Sequence, residues 1–167
     1  LANQAHFFNA GARVKRFTPA GPDHAQVAAA AGMADYVDAL YAHHVGGDAD
    51  PAARARVVTA MKRAHEDGRL EPLLDFLGNR NDVRILGSGN LGTETGRVPT
   101  VALHTARPAA EVADALAGHG VMAGAGDFYA VRTIGAMGCD ADEGVLRLSF
   151  VHYTTDGEVQ QLMKGLD

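Results

Sequence analysis

Residues 144–166 read GVLRLSFVHYTTDGEVQQLMKGL, and this stretch decides the fold. From Gly144 to Tyr153, the apolar Leu146, Leu148 and Phe150 alternate with Arg147 and Ser149, the period of two that gives a strand one buried face. Thr155-x-x-Glu158 follows as a capping box, in which each residue satisfies an orphan backbone N–H of the other. Val159, Leu162, Met163 and Leu166 then recur at steps of three and four, the spacing of one helical face. A half-apolar strand running into an amphipathic helix predicts helix packed on sheet.

Working upstream, Val121–Ala123 and Phe128–Arg132 read as short extended pieces around the small-residue turn Gly124–Gly126. Ala109–Gly118 reads as a helix with Val112 and Leu116 as its buried pair. Pro99–Thr105 and Val83–Leu86 read as strands separated by the glycine-rich loop GSGNLGTETG. Before Asn81 the texture is helical. Leu70–Leu77 is stopped by Gly78-Asn79, and an earlier helix is marked by Val57, Val58, Met61 and Ala64 after the Asp50-Pro51 start signal. An Ala-rich helix runs from Pro22, with Asp23 in its first turn, to His44, with Val27, Ala31, Ala34, Val37 and Leu40 as a weak stripe. The first 20 residues show neither period. The predicted order is three helices followed by β-β-α-β-β-α. The expected fold class is α/β: a helical N-terminal part, then from about residue 80 an α+β domain with a short mixed or antiparallel sheet and helices on one face.

Composition narrows the function classes. The 167 residues are 47% hydrophobic, with 15 Lys+Arg against 20 Asp+Glu and a net charge of −5. Without clustered cations the chain is a poor match for nucleic acid or anionic lipid. No apolar run approaches the length of a membrane span. A single cysteine, Cys139, makes an internal disulfide impossible and permits a reducing compartment, so the expected location is cytoplasmic.

Chemistry concentrates near the decisive strand. Arg147 projects from the face opposite Leu146 and Leu148, where a rigid guanidinium can take a carboxylate bidentately or simply stand in solvent. The loop GAGDFYA, 124–130, places Asp127, Phe128 and Tyr129 after three small residues, as a backbone bent past a ligand or as an ordinary connection would. GSGNLGTETG lacks the lysine and the following helix of a phosphate cradle. The eight histidines have no metal-ligand spacing, and Cys139 has no nearby histidine to activate it. No metal is expected.

At these same residues the chain resembles the class V aminotransferases, the fold-type-I pyridoxal-phosphate enzymes that include cysteine desulfurases. GVLRLSFVHYTTDGEVQQLMKGL is similar to their closing strand and helix, with its strand arginine, "HYNT" and "EEV" helix. RVPTVALHTARPAAEVADALAGHGVMAGAGDFYA is similar to the preceding strand, helix and active-site loop, and RFTPAGPDHAQVAAAAGMADYV to the segment entering a long large-domain helix. The resemblance implies an amino-acid substrate, pyridoxal phosphate as cofactor, a homodimer, and Arg147 as the group binding the α-carboxylate. It places Asp127, Phe128 and Tyr129 around the substrate. Gly21 and Pro22 match the "GTPN" turn that reaches the cofactor phosphate of the partner subunit. Two departures sharpen it. Gly126-Asp127-Phe128-Tyr129-Ala130 stands where desulfurases have GHHCA, with tyrosine at the persulfide cysteine, which leaves transamination, lyase, racemase or epimerase chemistry open. None of Lys15, Lys62 and Lys164 stands in the family's Schiff-base motif. The chain therefore resembles a C-terminal portion: residues 1–80 as the end of a large domain, and 81–167 as the small domain. No catalytic residue is expected within it. The other expectation from the residues is a non-catalytic α+β binding or regulatory module.

Overall fold

Strand β4 (Val145–Ser149) lies inside a four-stranded antiparallel sheet with β1 (Val83–Leu86), β2 (Thr100–Thr105) and β3 (Gly124–Gly126), in the order β1-β2-β4-β3. The structure, a computed structural model, describes residues 23–92 and 97–167. The helices are α1 (His24–His44), α2 (Pro51–Gly78), α3 (Ala109–Gly118), α4 (Val131–Ala136) and α5 (Asp156–Leu166). The chain divides into two compact units between Thr59 and Ala60, within α2.

In the first unit, Asp23 is the N-cap of α1, its Oδ1 accepting from the N–H groups of Ala25 and Gln26 at 3.0 and 3.2 Å. Asp23 was expected within the first turn. Asp50 caps α2 in the same manner, accepting from Ala53 N–H at 2.9 Å. Arg54 on α2 pairs with Asp38 on α1 at 3.3 Å. Of the predicted stripe on α1, Val27, Ala31 and Ala34 are exposed, and among the described residues of this unit Tyr41 and Val58 are buried.

In the second unit the alternation of β4 holds. Leu146 and Leu148 are buried, Arg147 and Ser149 exposed. Val101 and Leu103 extend the buried face across β2, which pairs with β4 through Val101↔Leu148 and Leu103↔Leu146. Helices cover it: Val112 and Leu116 from α3, Val159, Leu162 and Leu166 from α5, and Leu70, Leu73, Leu74 and Leu77 from the end of α2 form one core with these strands. Each such leucine contributes about 1.5–3 kcal/mol by leaving water.

Two expectations change here. The helices expected around Val57–Ala64 and at Leu70–Leu77 are one continuous helix, with Pro72 inside it. A proline there forfeits a backbone hydrogen bond, which normally ends a helix. The four leucines that follow α2 onto the sheet offset that cost. The second change lies between α3 and β4. The extended pieces expected at Val121–Ala123 and Phe128–Arg132 are replaced by β3 at Gly124–Gly126 and the short helix α4. The β-branched Val131, Thr133 and Ile134 favour a strand locally. Burial of Ile134 against Cys139 and Val145 selects the helix instead. Val145 shares its face with Arg147, so α4 lies on the opposite side of the sheet from α3 and α5, whereas helices were expected on one face only.

Candidate functional site

The face of β4 that carries Arg147 is built from small neighbours. In register, Arg147 is flanked by Ala102 of β2 and Gly124 of β3, so the guanidinium stands over a floor with almost no side chain. Thr100 and Ser149 follow one pair further along the same face, their hydroxyls 3.3 Å apart.

The loop after β3 folds back onto this floor. Asp127 Oδ1 accepts from Tyr129 N–H at 2.9 Å, and Asp127 C=O accepts from Ala130 N–H at 2.8 Å. These bonds close a tight turn in which Phe128 and Tyr129 both adopt left-handed backbone, φ +49° and +59°. Non-glycine residues resist that region by about 1–2 kcal/mol each, so two in succession persist only where neighbouring contacts hold them. The outcome is a division of labour between the aromatics. The Phe128 ring turns inward, its centroid 4.1 Å from the Arg147 guanidinium carbon, a cation–π distance worth about 0.5–2 kcal/mol. Tyr129 stands fully exposed at the tip.

Two glycines make the approach possible. A Cβ on Gly124 would lie 3.1 and 3.2 Å from two Phe128 ring carbons and 3.9 Å from Arg147 Nε. A Cβ on Gly144 would lie 2.6 Å from Gly126 Cα, and Gly144 itself has φ +70°. The strand that delivers Arg147 thus starts in backbone-to-backbone contact with the loop that delivers Phe128.

The far end of β4 is tethered as well. Val151 and Thr154 close a turn, and the Thr154 carbonyl accepts from Arg69 Nε at 3.2 Å and lies 2.8 Å from His65 Nε2, both on α2. Sequence reasoning did not single out His65 or Arg69. Their four-residue spacing puts them on one helical face, but only the folded chain brings Thr154 to it.

The structure brings Arg147 and Phe128 into contact, leaves Asp127 half-buried in the turn and leaves Tyr129 exposed at its tip. Gly21 and Pro22 lie outside the described residues. A cleft of about 180 Å³ opens elsewhere, beside the start of α5, lined among others by Met122, Leu148, Phe150, Glu158 and Leu162. Its one acidic side chain is already used. Hydrogen bonds from the Thr155 N–H and hydroxyl, at 2.7 and 2.8 Å, hold the Glu158 carboxyl below its ordinary pKa. Chemistry on this chain is therefore better sought on the arginine face. Cys139 is buried, its Sγ 3.2 Å from Arg84, and among the described residues no cluster of His, Cys, Asp or Glu is arranged to hold a metal. Among the described residues no helix is long and apolar enough to cross a membrane.

The geometry also tests which cofactor groups this chain can supply. Lys164 is exposed on α5, against the face opposite Arg147, and Lys62 on α2 belongs neither to the Arg147 floor nor to its loop. The described lysines do not fit a covalent cofactor anchor beside Arg147.

No family model matches the chain. It is similar to the aminotransferase-like protein FGM3 of Gibberella zeae, 28% identical over 107 residues, which cover 62% of this chain and 26% of that protein. Its fold is similar to that of the cysteine desulfurase CsdA of Escherichia coli in its S-sulfonic acid form, with a TM-score of 0.51 at 19% identity, over 73% of this chain and 31% of that one. The chain is thus related in sequence to an aminotransferase-like protein and shares the fold of a part of a cysteine desulfurase, while spanning only about a quarter to a third of either.

Proposed function

We propose that this chain is the C-terminal part of a pyridoxal-phosphate-dependent enzyme acting on an amino acid, and that Arg147 binds the α-carboxylate of the substrate. The observation that carries this reading is the Arg147 guanidinium itself. It is exposed on the face of β4 opposite the main core, beyond the part of that face covered by α4, and Phe128 stacks on it. Among the described residues no acidic side chain pairs with it. A planar fork of N–H donors so placed is suited to a carboxylate, which it meets with two charge-assisted hydrogen bonds. The similarity to FGM3 and to CsdA supports a PLP-enzyme relative, and the short share of each that the chain covers supports a portion of a longer protein. In this reading residues 1–80 close its large domain and 81–167 form its small one.

In such an enzyme the cofactor supplies the electron sink for chemistry at Cα. Its covalent attachment is assigned to residues outside this chain, and no step is placed on the lysines present. Arg147 contributes orientation. Two hydrogen bonds to the carboxylate fix the rotation of the amino acid about its Cα–carboxyl axis, and misorientation costs rate steeply. Asp127 and Tyr129, at the loop tip, border the substrate side chain. The tyrosine at the loop position of the desulfurase cysteine leaves no thiol there for sulfur transfer. The intact enzyme is read as a cytoplasmic homodimer.

The test is calorimetric titration of the longer enzyme with L-alanine, L-cysteine and L-aspartate. Arg147→Ala is expected to weaken binding of each by roughly 10- to 100-fold, the loss of a charge-assisted bidentate contact, with Arg147→Lys in between. Equal affinities in wild type and Arg147→Ala would exclude the role, and a wild-type enzyme that binds none of the three would exclude the amino-acid reading.

A further inference from the structure

We propose that Phe128 is a positioning residue that holds the Arg147 guanidinium in its binding plane, rather than a wall of the substrate pocket. The inference rests on the reading of Arg147 as the carboxylate clamp. An arginine on an open strand face is a poor clamp by itself, because its long side chain samples many rotamers and loses that freedom whenever a ligand binds. Here one face of the guanidinium is already occupied. The ring centroid lies 4.1 Å away, and the ring also packs into the apolar cluster of Ile134, Cys139 and Val145, which keeps it from swinging out with the arginine.

The surroundings are shaped for this one contact. At Gly124, the register neighbour of Arg147, a Cβ would crowd the Phe128 ring at 3.1–3.2 Å, so the glycine lets the ring lie close to the strand. Ala102, the neighbour on the other side, presents a single methyl. Left-handed backbone at Phe128 and Tyr129, fastened by the Asp127 side chain, is what aims the first aromatic inward and leaves the second in solvent. With one π face blocked, the N–H edges remain the accessible donors, so an anion meets the guanidinium edge-on. Pre-arranging the donor lowers the ordering cost of binding. The loop that in desulfurases presents a cysteine here presents, by this inference, an aromatic brace for the arginine.

The experiment has two readouts. In the 167-residue chain, NMR of wild type should show the Arg147 δ-methylene protons shifted upfield by the ring current, a shift kept in Phe128→Tyr and lost in Phe128→Leu, where leucine preserves the apolar cluster. In the longer enzyme, Phe128→Leu should weaken amino-acid binding roughly three- to tenfold, Phe128→Tyr should stay within about twofold of wild type, and Phe128→Leu should add nothing in an Arg147→Ala background. A ring-current shift with unchanged affinity in Phe128→Leu overturns the positioning role and leaves the clamp standing. An additive loss in the Arg147→Ala background overturns it too, since Phe128 would then touch substrate directly. If Arg147→Ala itself binds as wild type, the clamp reading falls and this inference with it.

Discussion

Gly144 shows how much of this site depends on single atoms. Its φ of +70° already disfavours a side chain, and a Cβ would sit 2.6–2.9 Å from backbone atoms of Gly126, which cannot move aside as a flexible side chain would. Gly138 has nearly the same φ, +73°, with nothing within 4 Å of its would-be Cβ. The pair separates conformational strain from overlap. Gly138→Ala is expected to cost about 1 kcal/mol, and Gly144→Ala at least about 3 kcal/mol, measured by urea denaturation. Equal losses would refute the close approach of β4 to the loop. At this scale GAGDFYA announced a bent backbone through its small residues. Which of the two aromatics meets Arg147 was not legible, because φ angles at Phe128 and Tyr129 depend on an Asp127 turn and on a cluster formed by distant residues.

Element boundaries followed the local signals wherever those signals agreed with burial. The Thr155–Glu158 box is present in full: Glu158 N–H donates to Thr155 Oγ1 at 3.3 Å, and Glu158 Oε2 accepts from Thr155 N–H. Thr155→Ala should lower stability by about 1 kcal/mol at neutral pH. The box also makes a pH prediction. The folded-state pKa of Glu158 lies below its ordinary value, so its contribution is present above the ordinary carboxylate range and is lost as pH falls through the folded value. Urea midpoints measured from pH 6 downward should therefore fall more steeply in wild type than in Glu158→Gln, and parallel curves would contradict the capping geometry. Signals conflicted in α2 and α4. Two helices were expected across Val57–Ala64 and Leu70–Leu77, and an extended piece at Phe128–Arg132, and in both places the tertiary burial of nearby apolar side chains decided otherwise.

Across the whole molecule, burial is unevenly shared. The second unit holds the continuous core of α2, α3, α5 and the sheet, whereas the described part of the first has Tyr41 and Val58 buried and leaves Val27 and Met33 exposed on α1. Helical hydrogen bonds without a packed face open at low free energy. Native-state hydrogen exchange should accordingly be faster by several orders of magnitude in the first turns of α1 than in β2 and β4, and matched protection would mean that α1 is covered in solution. A further tie inside the second unit is Arg80, which donates to Asp82 at 2.8 and 2.9 Å and to the Asp167 side chain at 2.8 Å, and its guanidinium holds the Asp82 carboxyl below the ordinary carboxylate range.

By itself the sequence determined the period-two strand with Arg147 outward, the capped amphipathic helix that follows it, the helix with Val112 and Leu116 inside, and the exclusion of a disulfide scaffold. Those properties are local, written in side-chain alternation, capping pairs and residue counts. Only the tertiary structure decided that α2 runs unbroken through Pro72, that α4 is a helix on the arginine face, and that Phe128 rather than Tyr129 lies against Arg147. Each of these is a balance between local backbone preference and burial against residues far away in the chain, and that burial exists only once the sheet has formed.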